Sequence, residues 1–361
     1  MISKAVASFV LATGLPSMAV AARLTATPAD WPTQYAAAKP GDTLKFVGSF
    51  PTRMDLPSRV FQPPLKIDAT DAQFLDSVSF RNVTGIQMQG GVFGNPHGTT
   101  RQNRAIVFFG GSDIHVDRVK AVGSGTGGGI AMVGVTNGSV SNSTFTNLNV
   151  GIGIGPMSRE IRVLNNLFDR ATSDGIDIFG SHGVVASYNH CRDTRPAPGA
   201  HPDCVQMWSV KGNPVQSDIE LSFNTAVGAT QGLTSFNADN GGLLRARIVN
   251  NRVDVSYPQG IACYACRDSD IRNNDVTTSP GAQWRTTINV VGGKDVRTGG
   301  NRIGPRVTSW KSSQTLPMKM PGNAIVGYSI PTSDALQSAG YWPAIPGANA
   351  VPPSTAPAPV K

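Results

Sequence analysis

From residue 104 onward the chain repeats one short pattern: a small residue, an aliphatic residue, a variable position, an apolar position and another variable one. It reads Ala105-Ile-Val-Phe-Phe, Gly129-Ile-Ala-Met-Val, Gly151-Ile-Gly-Ile-Gly, Gly175-Ile-Asp-Ile-Phe, Cys204-Val-Gln-Met-Trp, Gly232-Leu-Thr-Ser-Phe, Gly260-Ile-Ala-Cys-Tyr and Thr287-Ile-Asn-Val-Val, with starts 24, 22, 24, 29, 28, 28 and 27 residues apart. A second apolar series runs between these segments and ends on Asn142, Asn166, Asn189, Asn224, Asn251, Asn274 and Asn301. Each repeat therefore supplies at least two short strands of period two, and no segment has a convincing helical period. A unit this small cannot bury its apolar side alone and must stack on its neighbours. Two or three strands per turn of this length predict an all-β fold, a right-handed parallel β-helix; propeller blades would need roughly 40 residues per repeat. Asn suits such a coil because it tolerates a left-handed backbone at a tight bend, and stacked amides hydrogen-bond from coil to coil.

The ends are read from their breakers. Asp30-Trp-Pro-Thr-Gln-Tyr predicts a short helix capped by Asp30, with Pro32 in its first turn, covering the open end of the solenoid. Pro40-Gly41-Asp42 then turns into a strand from Thr43 to Val47, and residues 43–103 read as earlier, less regular coils. The repeat fades beyond Arg302. Three segments result: residues 1–22 as a secretory leader, 23–342 as one β-helix domain and 343–361 as a Pro/Ala-rich disordered tail. The leader has Lys4, an apolar run from Ala5 to Leu15 and a small-residue end at Ala19-Val-Ala21, which predicts a secreted or periplasmic protein. The apolar run is too short for the roughly 20 residues of a membrane span, so none is expected after cleavage.

Alternation sorts the side chains of the first series. Ile176, Ile178, Val205 and Met207 point inward, which leaves Asp177, Phe179, Gln206 and Trp208 outside. Stacking then builds two outer rows: Gly153, Asp177, Gln206, Thr234, Ala262, Asn289, and beside it Gly155, Phe179, Trp208, Phe236, Tyr264, Val291. The second carries four aromatics, fitted either to sugar rings or to a covering loop. In the other series Cys191 falls at an inward position and reads as core rather than as the partner of an outward Cys204, while His190 reads as solvent-facing. Cys263 and Cys266 fit either a disulfide or two buried thiols.

Composition narrows the partner. The 361 residues include 40 Gly and 26 Pro with 15% charged residues, poor material for a helical bundle. The formal net charge is +8, of which Lys4 leaves with the leader. A basic surface outside the cytoplasm suits an acidic polysaccharide, and no nucleic-acid recognition motif is present.

The chemically capable residues concentrate in 172–211. Thr172-Ser-Asp174-Gly-Ile-Asp177-Ile resembles the NTDGIDI stretch of the polygalacturonase family of glycoside hydrolases, and Pro202-Asp203-Cys-Val-Gln-Met-Trp-Ser resembles their DDCIAIKS. The family's GHG falls at Thr230-Gln231-Gly232 and its RIK at Ala262-Cys263-Tyr264. The resemblance covers about four coils and implies an inverting hydrolase using Asp174 and Asp203. One paired acid is replaced by Pro202, the histidine by Gln231, and the basic pair by Ala262 and Tyr264. More broadly the pattern resembles the pectate-lyase-like superfamily, which implies lyase or epimerase chemistry at a uronate. That chemistry needs a base and a group that stabilises the developing charge. His201 or Lys211 fits the base, and Arg195 or a Ca²⁺ held by Asp174, Asp177 and Asp203 fits the stabiliser. Substrate contacts are expected from Asp177, His182, Arg195, Gln206, Trp208, Gln231, Phe179 and Tyr264. A polysaccharide-binding adhesin or tailspike-like β-helix is the non-catalytic alternative.

Overall fold

A computed structural model of the chain describes residues 21–95, 103–236, 240–309 and 312–314. Residues 1–20 of the expected leader and the whole of the expected tail, 343–361, lie outside the described residues. The architecture is a parallel β-solenoid of about 11 turns with, among the described residues, one short α-helix, Trp31–Ala37. Each regular coil contributes three strands, and each stacks in parallel on its equivalent in the next coil. The first face contains Gly128–Val133, Val150–Ile154, Asp174–Phe179, Asp203–Trp208, Gln231–Ser235, Gln259–Tyr264 and Thr287–Val291. The second includes Arg159–Leu164, His182–Ser187 and Ser217–Ser222. The third includes Leu167–Asp169, His190–Arg192 and Thr225–Gly228. In earlier coils one bent strand serves two faces: Arg104–Asp117 pairs with Gly128–Val133 by its first half and with Thr136–Ser141 by its second. It bends at Gly110 and Gly111, whose φ values are +68° and +93°.

The small residue that opens each repeat has a steric cause. A Cβ on Gly151 would lie 2.4 Å from the Phe168 ring, and one on Gly175 2.8 Å from Cys191 Sγ. The opening position thus faces inward against the third face, and alternation breaks there. Cys204 occupies this position, is buried, and forms a disulfide with Cys191. The pairing corrects the outward reading of Cys204, because strict alternation had been carried one residue too far. Cys263 and Cys266 are also joined. His190 is 3% exposed rather than solvent-facing. Burial and the neighbouring Arg192 and Arg252 push its pKa down to about 3.

The Asn series stacks, offset from the bend. From Asn189 to Asn301 each Oδ1 accepts the backbone N–H and the Nδ2–H of the Asn one coil earlier, as Asn189 does from Asn166 at 3.1 and 3.0 Å. Ser143 occupies the equivalent position one coil before Asn166, so Asn142 belongs to the bend instead. The left-handed residue is the one before each stacked Asn: Asn165, Tyr188, Phe223, Asn250 and Asn273 all have φ between 55° and 60°.

At the N-terminal end a strand, Arg23–Ala26, precedes the helix and pairs with Thr43–Phe50. Asp30 makes no side-chain cap bond; its Oδ1 accepts instead from Thr27 N–H and Thr27 Oγ1–H. The opposite end of the helix is tied by Arg59, which donates to the carbonyls of Tyr35, Ala36 and Ala38.

Candidate functional site

Asp174, Asp203 and Gln231 form one column across the start of the first face. Ile176 pairs with Val205 and Asp203 with Gln231, which puts the three on successive coils. The Asp203 N–H donates to Asp174 Oδ1 at 2.9 Å, so the first carboxyl holds the backbone that carries the second. The Pro-rich insertion between these coils is pinned to the preceding one. The Arg195 N–H donates to the Ala171 carbonyl at 2.8 Å, and the Ala197 N–H to the Thr172 carbonyl at 2.9 Å. The loop returns at Pro202 with His201 above the column.

Asp203 is the hub. Its Oδ2 accepts from His201 Nδ1 at 2.9 Å and from Gln206 Nε2 at 3.1 Å, and its Oδ1 accepts from the Thr234 hydroxyl. A carboxylate receiving from His201 fixes the Nδ1–H tautomer, so Nε2 carries the lone pair. Gln231 Nε2 donates to that nitrogen at 2.7 Å. The Asp203 side chain is 0% exposed and that of His201 54%. The imidazole is therefore the solvent-facing end of a chain whose anchor is buried.

Charge is distributed unevenly. Burial raises Asp174 well above the ordinary carboxyl range, Asp177 and Asp203 add to the shift, and the Ser173 hydroxyl opposes it. Burial also raises Asp203, while its bond to His201 opposes the rise. His201 is raised above the usual imidazole value chiefly by its hydrogen bond to Asp203, against desolvation. A protonated Asp174 beside an ionised Asp203 satisfies these tendencies, because two adjacent buried carboxylates repel.

A groove of 520 Å³ lies along the first face and is joined to this site through Gln206; it is lined by Arg104, Phe109, Gly153, Asp177, Phe179, Gln206 and Trp208 among others. Both expected outer rows are present in register: Gly153 pairs with Asp177, Asp177 with Gln206, Gln206 with Thr234 and Phe179 with Trp208. Phe179 and Trp208 stack with centroids 5.0 Å apart, whereas Phe236 meets both His201 and Tyr264 edge-on. Phe179, Trp208, Phe236 and Tyr264 are each half-buried.

The other expected residues are dispersed. His182 starts a strand of the second face, where its Nδ1 meets Ser217 Oγ at 3.1 Å, away from the groove lining. Lys211 sits in an exposed turn, and Arg195 is exposed on the insertion. Of the Asp trio, both Asp203 oxygens accept from protein donors, as do both Asp174 oxygens, from Asp203 N–H and Ser173 Oγ–H. Among the described residues no group of three His, Cys, Asp or Glu side chains has metal-holding geometry. Sequence reasoning missed Thr234 as a partner of Asp203 and missed Arg104 altogether. The available signal for Arg104 was Gly128, one coil above it in the repeat.

No family model matches the chain, and no curated protein matches it. Among solved structures it is similar to PfbA, a surface adhesin of Streptococcus pneumoniae, at 9% identity over 73% of this chain and 79% of that one, with a TM-score of 0.47. It is also similar to an alginate lyase from Paenibacillus sp., at 16% identity over 76% and 99% of the two chains, TM-score 0.47. A mannuronic acid specific polysaccharide family 6 lyase from human gut microbiota matches at 12% identity over 77% and 83%, TM-score 0.42. Likeness at this level transfers no site residue. Among the described residues no helix is long and apolar enough to cross a membrane.

Proposed function

We propose that the protein acts on an acidic polysaccharide laid along the first face, with His201 as the base for elimination or epimerisation at a uronate. The observation that carries this reading is the chain Asp203–His201–Gln231, with a buried carboxylate orienting an exposed imidazole that meets the aromatic row at Phe236. In either reaction His201 Nε2 takes the C5 proton beside the sugar carboxylate, and Asp203 stabilises the imidazolium that forms. In elimination the C5–H electron pair becomes the C4–C5 double bond, the C4–O4 bond breaks, and the leaving oxygen takes up a proton. In epimerisation a proton returns to C5 from the opposite side and the chain stays intact. Hydrolysis by Asp174 and Asp203 is less well supported, because it requires both carboxyls at the scissile bond, and they are 2% and 1% exposed.

Gln231 must leave Nε2 before the base is competent. That contact favours the second reading, a binding protein with an idle dyad. Incubation with polyuronates and neutral polysaccharides separates the two. Ultraviolet absorbance of unsaturated ends marks elimination, proton exchange in an intact chain marks epimerisation, and new reducing ends without absorbance mark hydrolysis. Retention on a polyuronate gel with none of these marks binding alone.

A further inference from the structure

We propose that Arg104 is a carboxylate-binding residue about two sugar rings from the reacting one, so that the substrate runs from His201 toward the N-terminal coils; this rests on the proposed polysaccharide reading. Arg104 stands in the same column as the site. It pairs with Gly128, Gly128 with Val150, and Val150 with Asp174. Its side chain climbs over Gly128, where a Cβ would lie 1.9 Å from Nη1, and Nη1 donates to the Val150 carbonyl at 3.3 Å. Neither Gly128 nor Gly153 has a positive φ, so no backbone strain calls for glycine at either position. What they provide is space: Gly128 admits the guanidinium, and bare Gly153, whose Cβ would come 3.8 Å from Nη2, leaves the groove floor open before it.

Two coil spacings separate the Val150 level from Asp203, roughly 10 Å at the usual distance between strands. A glycan lying along the column advances by about two rings over that distance. The groove between has complementary polar groups and ring faces. Gln206, half-buried in the groove lining, donates and accepts, and Phe179 and Trp208 offer an apolar wall. A guanidinium at its far end favours an acidic ring there, through the paired N–H donors that match a carboxylate.

Turnover of uronate oligomers of increasing length tests this, with wild type compared to Arg104→Gln and Gly153→Val, and folding of each checked by circular dichroism. Wild-type kcat/KM is expected to rise until the chain reaches Arg104. Arg104→Gln is expected to reduce the ratio of long-chain to dimer kcat/KM by about 10- to 100-fold, the range for hydrogen bonds to a charged group. Gly153→Val, which fills the floor in front of the guanidinium, is expected to weaken long chains also. Wild-type turnover with an unaltered length preference in folded Arg104→Gln would overturn the inference and leave the proposed function standing. Failure of the wild type to turn over or bind any uronate chain would remove both.

Discussion

Three buried or half-buried titratable groups act in different directions. Asp174 has a folded pKa above its unfolded value, so the stability it contributes is complete below about 4 and is lost as pH rises through the folded pKa. Asp174→Asn keeps an acceptor for the Asp203 N–H and removes the cost of protonating this buried carboxyl on folding at neutral pH. Its melting temperature at pH 7 is expected to exceed wild type, with a gap that closes on acidification. His190 works the other way: its pKa is depressed to about 3, so its contribution is present above the unfolded value near 6.5 and is lost as pH falls toward 3. His190→Leu, the residue that the neighbouring coil carries at Leu167, is expected to move acid unfolding to lower pH. At the dyad, a base raised by Asp203 places the acid limb of the pH–rate profile above the ordinary imidazole value. Asp203→Asn is expected to lower that limb and reduce kcat, which a merely structural Asp203 would not produce.

At the scale of the element, the sequence made the coils legible because one inward pair, such as Ile176 and Ile178, recurs at nearly constant spacing. The outer rows followed, and their neighbours pair residue for residue. What the period did not carry was the corner. There alternation fails, so Cys204 turns in toward Cys191, and the left-handed residue and the stacking Asn are adjacent rather than identical. The offset has a measurable consequence. Asn166→Ala leaves the buried Ser143 N–H and Asn189 Oδ1 short of partners and is expected to cost on the order of 3 kcal/mol in denaturant unfolding. Asn165→Gly, at φ 56°, loses only an exposed amide contact and is expected to change stability by less than about 1 kcal/mol. Arg104 escaped notice for a related reason: its role depends on a gap one coil away, and a strand pattern registers side chains rather than the space between them.

At the scale of the molecule, a solenoid's stability is close to a sum over neighbouring coils, and its ends are the places where that sum stops. The N-terminal end is closed by the helix Trp31–Ala37 and by the three carbonyl contacts of Arg59, which also lies over the Tyr35 and Phe61 rings. Arg59→Ala is expected to destabilise the fold by about 1.5–3 kcal/mol, seen as early proteolysis or hydrogen exchange in residues 23–50 before the central coils. The same one-dimensional stacking makes a long exterior face, on which a base, a groove and a cation can be set at intervals of one coil. The chemistry proposed for this face runs through His201. The most direct measurement is the initial rate on soluble polyuronate, followed by unsaturated-end absorbance and by C5 proton exchange, for wild type and a folded His201→Ala. The wild type is expected to show a rate in one of these channels that falls by about 10²- to 10⁴-fold in the variant; a variant as fast as wild type, in either channel, would overturn the role of His201.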